Sequence, residues 1–411
     1  MKKIYIAIAI VLILIFSACM AWVETANDKE SRSEVIEVGG AKEWFLKGSE
    51  AMKAENYDEA IECFLKAIAM NPSNARVNYN LGIAYSEKGM LDESMAEYKK
   101  AIGIDPNFAD AHNNLGNVYG RKGMIDEEIS EYKKAISLNP NLAEPHNNLG
   151  FVYSEKGRLD EAITEYKKAI AIDPNHLLAH NNLGIAYNKK GRLDEAISEF
   201  KSTISIDPNN LLARYELGFN YKIKGMLKEA ISEFKKVIAI NPSDAGVHRV
   251  LGIVYGEKGM LDEASSEFKK AIAINPNDAV AHGALGFVYG DKGMYDQAIS
   301  ECKKAIAINP NLVDVHIELG NIYIKKEMFD QAISELKKAI DIYPDGAEAH
   351  HKLGIAYHKK GLNSLAADHC YRAGLLYLER DDRENALKVY EDLKLTNSKE
   401  KGKDLFKKLY P

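Results

Sequence analysis

ARVNYNLGIAYSEKGMLDESMAEYKKAIGIDP, residues 75–106, decides the fold, because its pattern returns every 34 residues. Later copies begin at Ala109, Ala143, Leu177, Leu211, Ala245, Ala279, Val313 and Ala347, and a degenerate first copy begins at Ala41. A fixed period of this length marks a solenoid, in which each unit packs mainly against its neighbours. Positions 1 to 14 of each unit carry apolar residues at helical spacing. Glycine follows at position 15 in most copies, as Gly89, Gly123, Gly157 and Gly191. That predicts a helix ended by a residue able to take the left-handed conformation. Asp92, Asp126, Asp160 and Asp194 stand where a second helix needs an N-cap acceptor. Pro106, Pro140, Pro174 and Pro208 then stop that helix, because proline has no backbone N–H to donate. Glycine at position 8 and a small residue at position 20 let the two helices approach closely. Each unit is therefore expected to be an antiparallel helix pair, and the stack all-α.

Several copies depart from the pattern. The first has Lys47 and Ala51 in place of the usual Leu and Tyr. Glu128 replaces the small residue of the third copy, which predicts looser packing there, and Glu327 replaces the turn glycine of the ninth. The tenth has Leu378 where proline should stand, so its second helix is expected to run on. Ala386 and Tyr390 then read as half of another unit. The segment from Lys399 to Tyr410, with Leu405, Phe406 and Leu409 on one face, is expected to cover the open end, since a terminal unit otherwise exposes its core face.

Leu-Gly placed before Tyr recurs as Leu81-Gly82-Tyr85, Leu115-Gly116-Tyr119, Leu149-Gly150-Tyr153, Leu183-Gly184-Tyr187 and Leu353-Gly354-Tyr357. A small residue, an aromatic and an alanine follow within the unit, as in Ala162, Tyr166 and Ala169, and Pro174 closes it. This pattern resembles the tetratricopeptide repeat (TPR) family over roughly four fifths of the chain. The resemblance implies a right-handed superhelical solenoid of about ten helix-turn-helix units, spanning residues 41–378. Residues 379–411 then supply a partial unit and a C-terminal capping helix.

The amino terminus bears on location. Lys2 and Lys3 precede an uncharged run from Ile4 to Val23 that contains Ile15-Phe16-Ser17-Ala18-Cys19. This resembles a bacterial lipoprotein signal peptide, in which the cysteine receives a diacylglyceryl group and becomes the mature N-terminus. Residues 1–23 are equally long enough for an uncleaved signal anchor, given a hydrocarbon core of ~30 Å. Ordinary cleavage near Ala21 is a third reading. The first two tether the solenoid to a membrane and place it outside the cytoplasm, in a bacterial periplasm or at the cell surface. Residues 24–40 are polar and charged and read as a flexible spacer.

The net charge of -6 offers no basic field for nucleic acid. Besides Cys19, the cysteines are Cys63, Cys302 and Cys370, without metal or redox spacing. His112, His146, His180, His248, His282, His316 and His350 all occupy position 4. Residues one repeat apart lie along a stack rather than around one ion, so they read as packing. His351, His358, His369 and Cys370 are grouped near the C-terminus and read as ordinary polar surface. No GxxxxGK[ST], GxSxG or HExxH occurs. Neither a catalytic residue, a metal nor a cofactor is expected.

Positions 2, 5, 6, 9, 12 and 13 share one face of the first helix, which in the TPR family lines the concave surface. Position 6 gives Asn80, Asn114, Asn148 and Asn182, flanked by Asn113, Asn147 and Asn181, with Asn117 and Asn188 adding further amides. This resembles the asparagine ladder in the repeat arm of O-linked N-acetylglucosamine transferases, which holds extended peptides by their backbone. An amide both donates and accepts, so it can pair with a peptide unit whatever its side chain. Filling of position 6 by an indifferent polar residue is the plainer alternative. Beyond the ladder, Tyr215, Phe219, Phe287 and Ile253 supply apolar surface, while Gly246, Gly256, Gly283 and Gly290 remove bulk. The expected function is a non-catalytic, membrane-tethered scaffold for extended protein segments, with self-association possible in principle. A recruiting arm for an enzyme supplied in trans, such as a glycosyltransferase or envelope hydrolase, is the alternative.

Overall fold

A computed structural model describes residues 40–410. Cys19, the signal segment and nearly all of the spacer lie outside the described residues. Those described form 22 α-helices in consecutive antiparallel pairs, so the chain is all-helical there. They divide into two compact units, one ending at Pro174 and one beginning at Asn175.

The first unit holds the pairs α1 (Ala41–Lys53) with α2 (Tyr57–Met70), α3 (Ala75–Glu87) with α4 (Leu91–Ile104), α5 (Ala109–Arg121) with α6 (Ile125–Leu138), and α7 (Ala143–Glu155) with α8 (Leu159–Ile172). The second continues from α9 (Leu177–Lys189) and α10 (Leu193–Ile206) through five further pairs. The last three of these are α15 (Ala279–Asp291) with α16 (Tyr295–Ile308), α17 (Val313–Lys325) with α18 (Phe329–Ile342), and α19 (Ala347–Lys359) with α20 (Asn363–Glu379). Helix α20 runs 17 residues against the usual 14, as expected where Leu378 replaces proline. α21 (Arg383–Leu395) and α22 (Lys399–Leu409) follow, and Leu405 and Leu409 are buried against Ala373, Val389 and Leu393.

Close approach within a pair rests on position 8. A methyl built on Gly116 would lie 2.6 Å from the Tyr132 ring, and one on Gly320 would lie 2.6 Å from Leu336 Cγ. The aromatic or Leu side chain of the second helix therefore lies directly on the backbone of the first. At the turn between the helices Gly89 has φ 74°, and Glu327, standing where glycine is usual, is held at φ 60°. A non-glycine residue in that region costs roughly 1 kcal/mol, so the neighbouring helices impose the turn.

The N-cap expectation for Asp92 and its equivalents is corrected. The cap residue is Met90 in α4, Met124 in α6 and Arg158 in α8, and none makes a side-chain cap bond. Asp92 lies inside the first turn, where it favours the helix dipole, and its carboxylate pairs with Lys122 of the next repeat. Asp58–Lys88, Asp194–Lys224, Asp262–Lys292, Asp296–Lys326 and Asp330–Lys360 form the same link. Water screens such exposed pairs, so they set register more than stability.

Looser packing at Glu128 is not what the structure shows. Its carboxylate occupies the space that Gly120 leaves, 2.4 Å from where a Gly120 methyl would stand, and the Tyr132 hydroxyl lies 3.3 Å away. Burial pushes the Glu128 carboxyl up.

Candidate functional site

The histidines at position 4 resolve first, because they are buried and each faces a partner 19 residues on. His112 Nδ1 lies 2.6 Å from Glu131 Oε2, and the pairs His146–Glu165, His180–Glu199, His248–Glu267, His282–Glu301 and His316–Glu335 repeat the contact at 2.6–2.7 Å. Their packing role follows the sequence expectation, but the carboxylate partner was missed. It is legible only as Glu in the second-helix run EY, EF, EC or EL. Burial disfavours the charge of Glu131, yet hydrogen bonds from His112 and Lys134 outweigh it and hold the carboxyl below its usual range. Repeat six substitutes Arg214 for the histidine, with Nη1 2.8 Å from Glu233. The tenth repeat sets His350 Nδ1 2.9 Å from His369 Nδ1 instead.

The remaining residues of the C-terminal histidine group point apart. His351 Nε2 bonds Asp392 at 2.7 Å, and His358 Nδ1 bonds Asn363. Among the described residues no group of three potential ligands could hold a metal ion. Cys63, Cys302 and Cys370 are buried free thiols, and burial pushes those of Cys302 and Cys370 up to about 12.

On the first-helix face of the first unit, five ladder asparagines form one network. Asn114 Nδ2 donates to the Tyr79 hydroxyl (3.0 Å), and Asn113 Nδ2 donates to Asn114 Oδ1 (3.2 Å). Asn148 Nδ2 donates to both Asn113 Oδ1 (3.1 Å) and Asn117 Oδ1 (3.2 Å), while Asn147 donates to Asn148. The Tyr132 hydroxyl also donates to Asn117 Oδ1 (2.7 Å), so two donors fix that oxygen. Asn117 is exposed, whereas Asn113 and Asn147 are buried and Asn114 and Asn148 half-buried. Held by its oxygen, Asn117 presents its amide N–H groups on the surface. Asn80 stays outside this network and bonds its own helix at Arg76 O.

In the second unit the amides behave differently. Asn188 Nδ2 donates to Glu216 Oε2 (3.1 Å) and Asn188 Oδ1 accepts from Asn220 (2.8 Å). Asn181 is buried with its Oδ1 unpartnered, and Asn182 is half-buried. Glu216 was not singled out from sequence. Burial pushes its carboxyl up, against the bond from Asn188.

Of the apolar candidates, Phe219 is 39% exposed and Tyr215 is half-buried, edge-on to Phe234 at 5.7 Å. Phe287 packs against the core around Leu319. Ile223 and Val280, 54% and 48% exposed on the same repeat face, join Phe219 as apolar surface that the sequence reading passed over. Two glycines expected to open pockets do something else. A Gly283 methyl would meet Val315 at 2.8 Å, and a Gly290 methyl would meet Glu318 at 2.6 Å. Both make room for the next repeat. Gly256 alone of the four has open space beside it.

Family models agree with this geometry. A model described as TPR repeat matches residues 48–89, 84–123, 152–191, 254–293, 289–327 and 320–361. Models described as tetratricopeptide repeat match 131–164, 178–210, 109–142 and 212–244. No curated protein matches the chain. Among solved structures, MamA is 31% identical over 39% of this chain and 95% of its own, with a TM-score of 0.39. YrrB, described as a TPR protein with an unusual peptide-binding site, is 27% identical over 45% of this chain and 96% of its own, with a TM-score of 0.40. PilF of Pseudomonas aeruginosa is 20% identical over 50% of this chain and 94% of its own, with a TM-score of 0.45.

Proposed function

This chain belongs to the tetratricopeptide repeat family, and on that premise we propose that it is a membrane-tethered scaffold whose first-helix face holds extended segments of partner proteins. Proteins of this family serve as protein–protein interaction scaffolds, and the repeat fold is typically non-catalytic. The observation that carries the finer reading is Asn117: Tyr132 and Asn148 lock its oxygen, and its exposed N–H groups are left to donate to a backbone carbonyl. An amide fixed in this way pays little ordering entropy on binding. Repeated contacts along one extended ligand then add up without a single strong site. Within the second unit, Phe219, Ile223 and Val280 offer apolar surface for partner side chains.

The tether rests on the Cys19 segment, and acyl labelling of the wild type against Cys19→Ala tests it. Processing unchanged by the substitution, with no label in the wild type, removes the lipoprotein reading. The peptide-holding reading is tested by affinity capture from crosslinked, detergent-solubilised membranes. The wild type is compared with Asn114/Asn117/Asn148→Ala, and circular dichroism confirms that the variant is folded. Proteins lost only from the variant support the ladder. Unchanged capture makes it a packing device.

A further inference from the structure

Repeat two breaks the position-4 contact and leaves a pocket whose chemistry the other repeats define. Where repeats three to ten have histidine or arginine it has Asn78, whose amide turns back to Asn74 O (3.0 Å). Glu97, at the place of Glu131 and Glu233, is 7% exposed, and its Oε2 has no hydrogen-bond partner. A cavity of about 360 Å³ opens beside it, lined by Asn78, Glu97, Lys100, Pro72, Leu65, Ile68 and Ile104. Pro72 stands six residues before Asn78, the same offset as Pro208 from Arg214. In repeat six the guanidinium bonds both acceptors, Nε to Pro208 O at 2.8 Å and Nη1 to Glu233 at 2.8 Å. In repeats seven to nine the imidazole does likewise, to proline carbonyls at 3.0–3.1 Å and to glutamates at 2.6–2.7 Å.

We propose that this pocket is a binding site for the guanidinium of an arginine side chain carried by a partner protein. Both acceptors of the repeat-six contact, the Glu97 carboxylate and the Pro72 residue, border the cavity, and Asn78 is too short to reach between them. A planar cation with several N–H donors is what such an acceptor pair takes, and a buried carboxylate oxygen gains most from a charged donor. Lys100 already pairs with Glu97 Oε1 at 2.6 Å, but Lys236 does the same to Glu233 without displacing Arg214. Arginine suits the pocket better than histidine, because its methylene stem can lie along Leu65 and Ile104, which are 46% and 39% exposed. The site lies on the second-helix side of repeats one and two, away from the Asn117 face, so the two do not compete.

Methyl NMR of the full chain in detergent, labelled at Ile and Leu methyls, tests this with ethylguanidinium as the probe. Saturable shifts are expected at Leu65, Ile68 and Ile104. The neutral isostere N-ethylurea and the Glu97→Gln variant should each weaken binding by about tenfold or more. Asn78→His, which restores the residue found in seven other repeats, should abolish it while leaving the fold intact. Equal binding of ethylurea, undiminished binding to Asn78→His, or no saturable shift at these methyls overturns the proposal. Tighter binding of imidazole than of ethylguanidinium overturns the choice of arginine.

Discussion

Repeats nine and ten carry the same histidine in the same place, yet a carboxylate stands opposite it in one and a second imidazole in the other. In repeat nine, His316 Nε2 faces Pro310 O at 3.0 Å and Nδ1 faces Glu335 at 2.7 Å. Both ring nitrogens therefore face oxygen acceptors. In repeat ten, His350 Nε2 faces Pro344 O at 3.0 Å, but Nδ1 meets the Nδ1 of His369 at 2.9 Å. Only one proton fits between those two nitrogens. Since Nε2 of His350 already donates, that proton sits on His369, and both rings are neutral. The rings stack at 5.2 Å, and His369 also stacks on Tyr357 at 5.6 Å. A shared backbone position thus fixes where a group sits, while the residue opposite fixes what it bonds to.

Removing the partner in repeat nine should have the largest effect. Glu335→Ala leaves a nearly buried imidazole ring without its acceptor, at a cost of about 3–5 kcal/mol. Hydrogen exchange along α17 and α18 should report it, because a solenoid opens locally rather than as one cooperative whole. Protection equal to wild type would show that the ion pair is dispensable. The steric contact beneath the pair comes next. Gly320→Ala forces a methyl against Leu336 and should cost about 1–3 kcal/mol, again read in α17 and α18.

Acid separates the two repeats. Hydrogen bonds from His316 and then from Lys338 outweigh burial and hold the Glu335 carboxyl below the usual carboxylate range. A depressed carboxyl stabilises the fold above its unfolded pKa, and that stability is lost only as pH falls through the folded value. In repeat ten, burial first and the neighbouring His350 second lower His369 to about 4, and burial lowers His350. A base lowered in the fold binds fewer protons there than in the unfolded chain. Its repeat therefore loses stability once pH falls below the unfolded value of 6.5, and continues to lose it down to about 4. Between pH 7 and pH 5, exchange in α19 and α20 should quicken while α17 and α18 hold. Equal quickening in both pairs contradicts the assignment of charge.

The helix pairs, their turns and the packing role of position 4 were legible in the sequence, because glycine, proline and apolar period act locally. What lay opposite each histidine was not. Glu335 and His369 are 19 residues from their partners and sit in a second-helix run that reads as solvated surface. Asp92 looked like a cap because it follows the turn, but the helix starts one residue earlier and frees its carboxylate for Lys122. Glu128 looked like a packing fault because its compensation, Gly120, is on the other helix. At the candidate site the amides were legible as a set. That Asn117 is held by its oxygen while Asn80 turns back on its own helix depends on Tyr132 and Asn148, side chains from other helices.

The smallest predicted effect is also the sharpest check on the contrast. His369→Glu gives repeat ten the partner that repeat nine has, so His350 should gain a carboxylate for Nδ1 and keep Pro344 for Nε2. Glutamate loses the stack on Tyr357, and it gains one charge-assisted hydrogen bond of about 1.5–3 kcal/mol. The lost ring contact is worth about 0.5–1.5 kcal/mol, so the net gain near pH 7 should be only about 1 kcal/mol. At pH 5 the gain should grow, because the substitution removes the proton penalty of the paired imidazoles. A variant whose advantage stays constant from pH 7 to pH 5 would mean that packing, not charge, separates the two repeats.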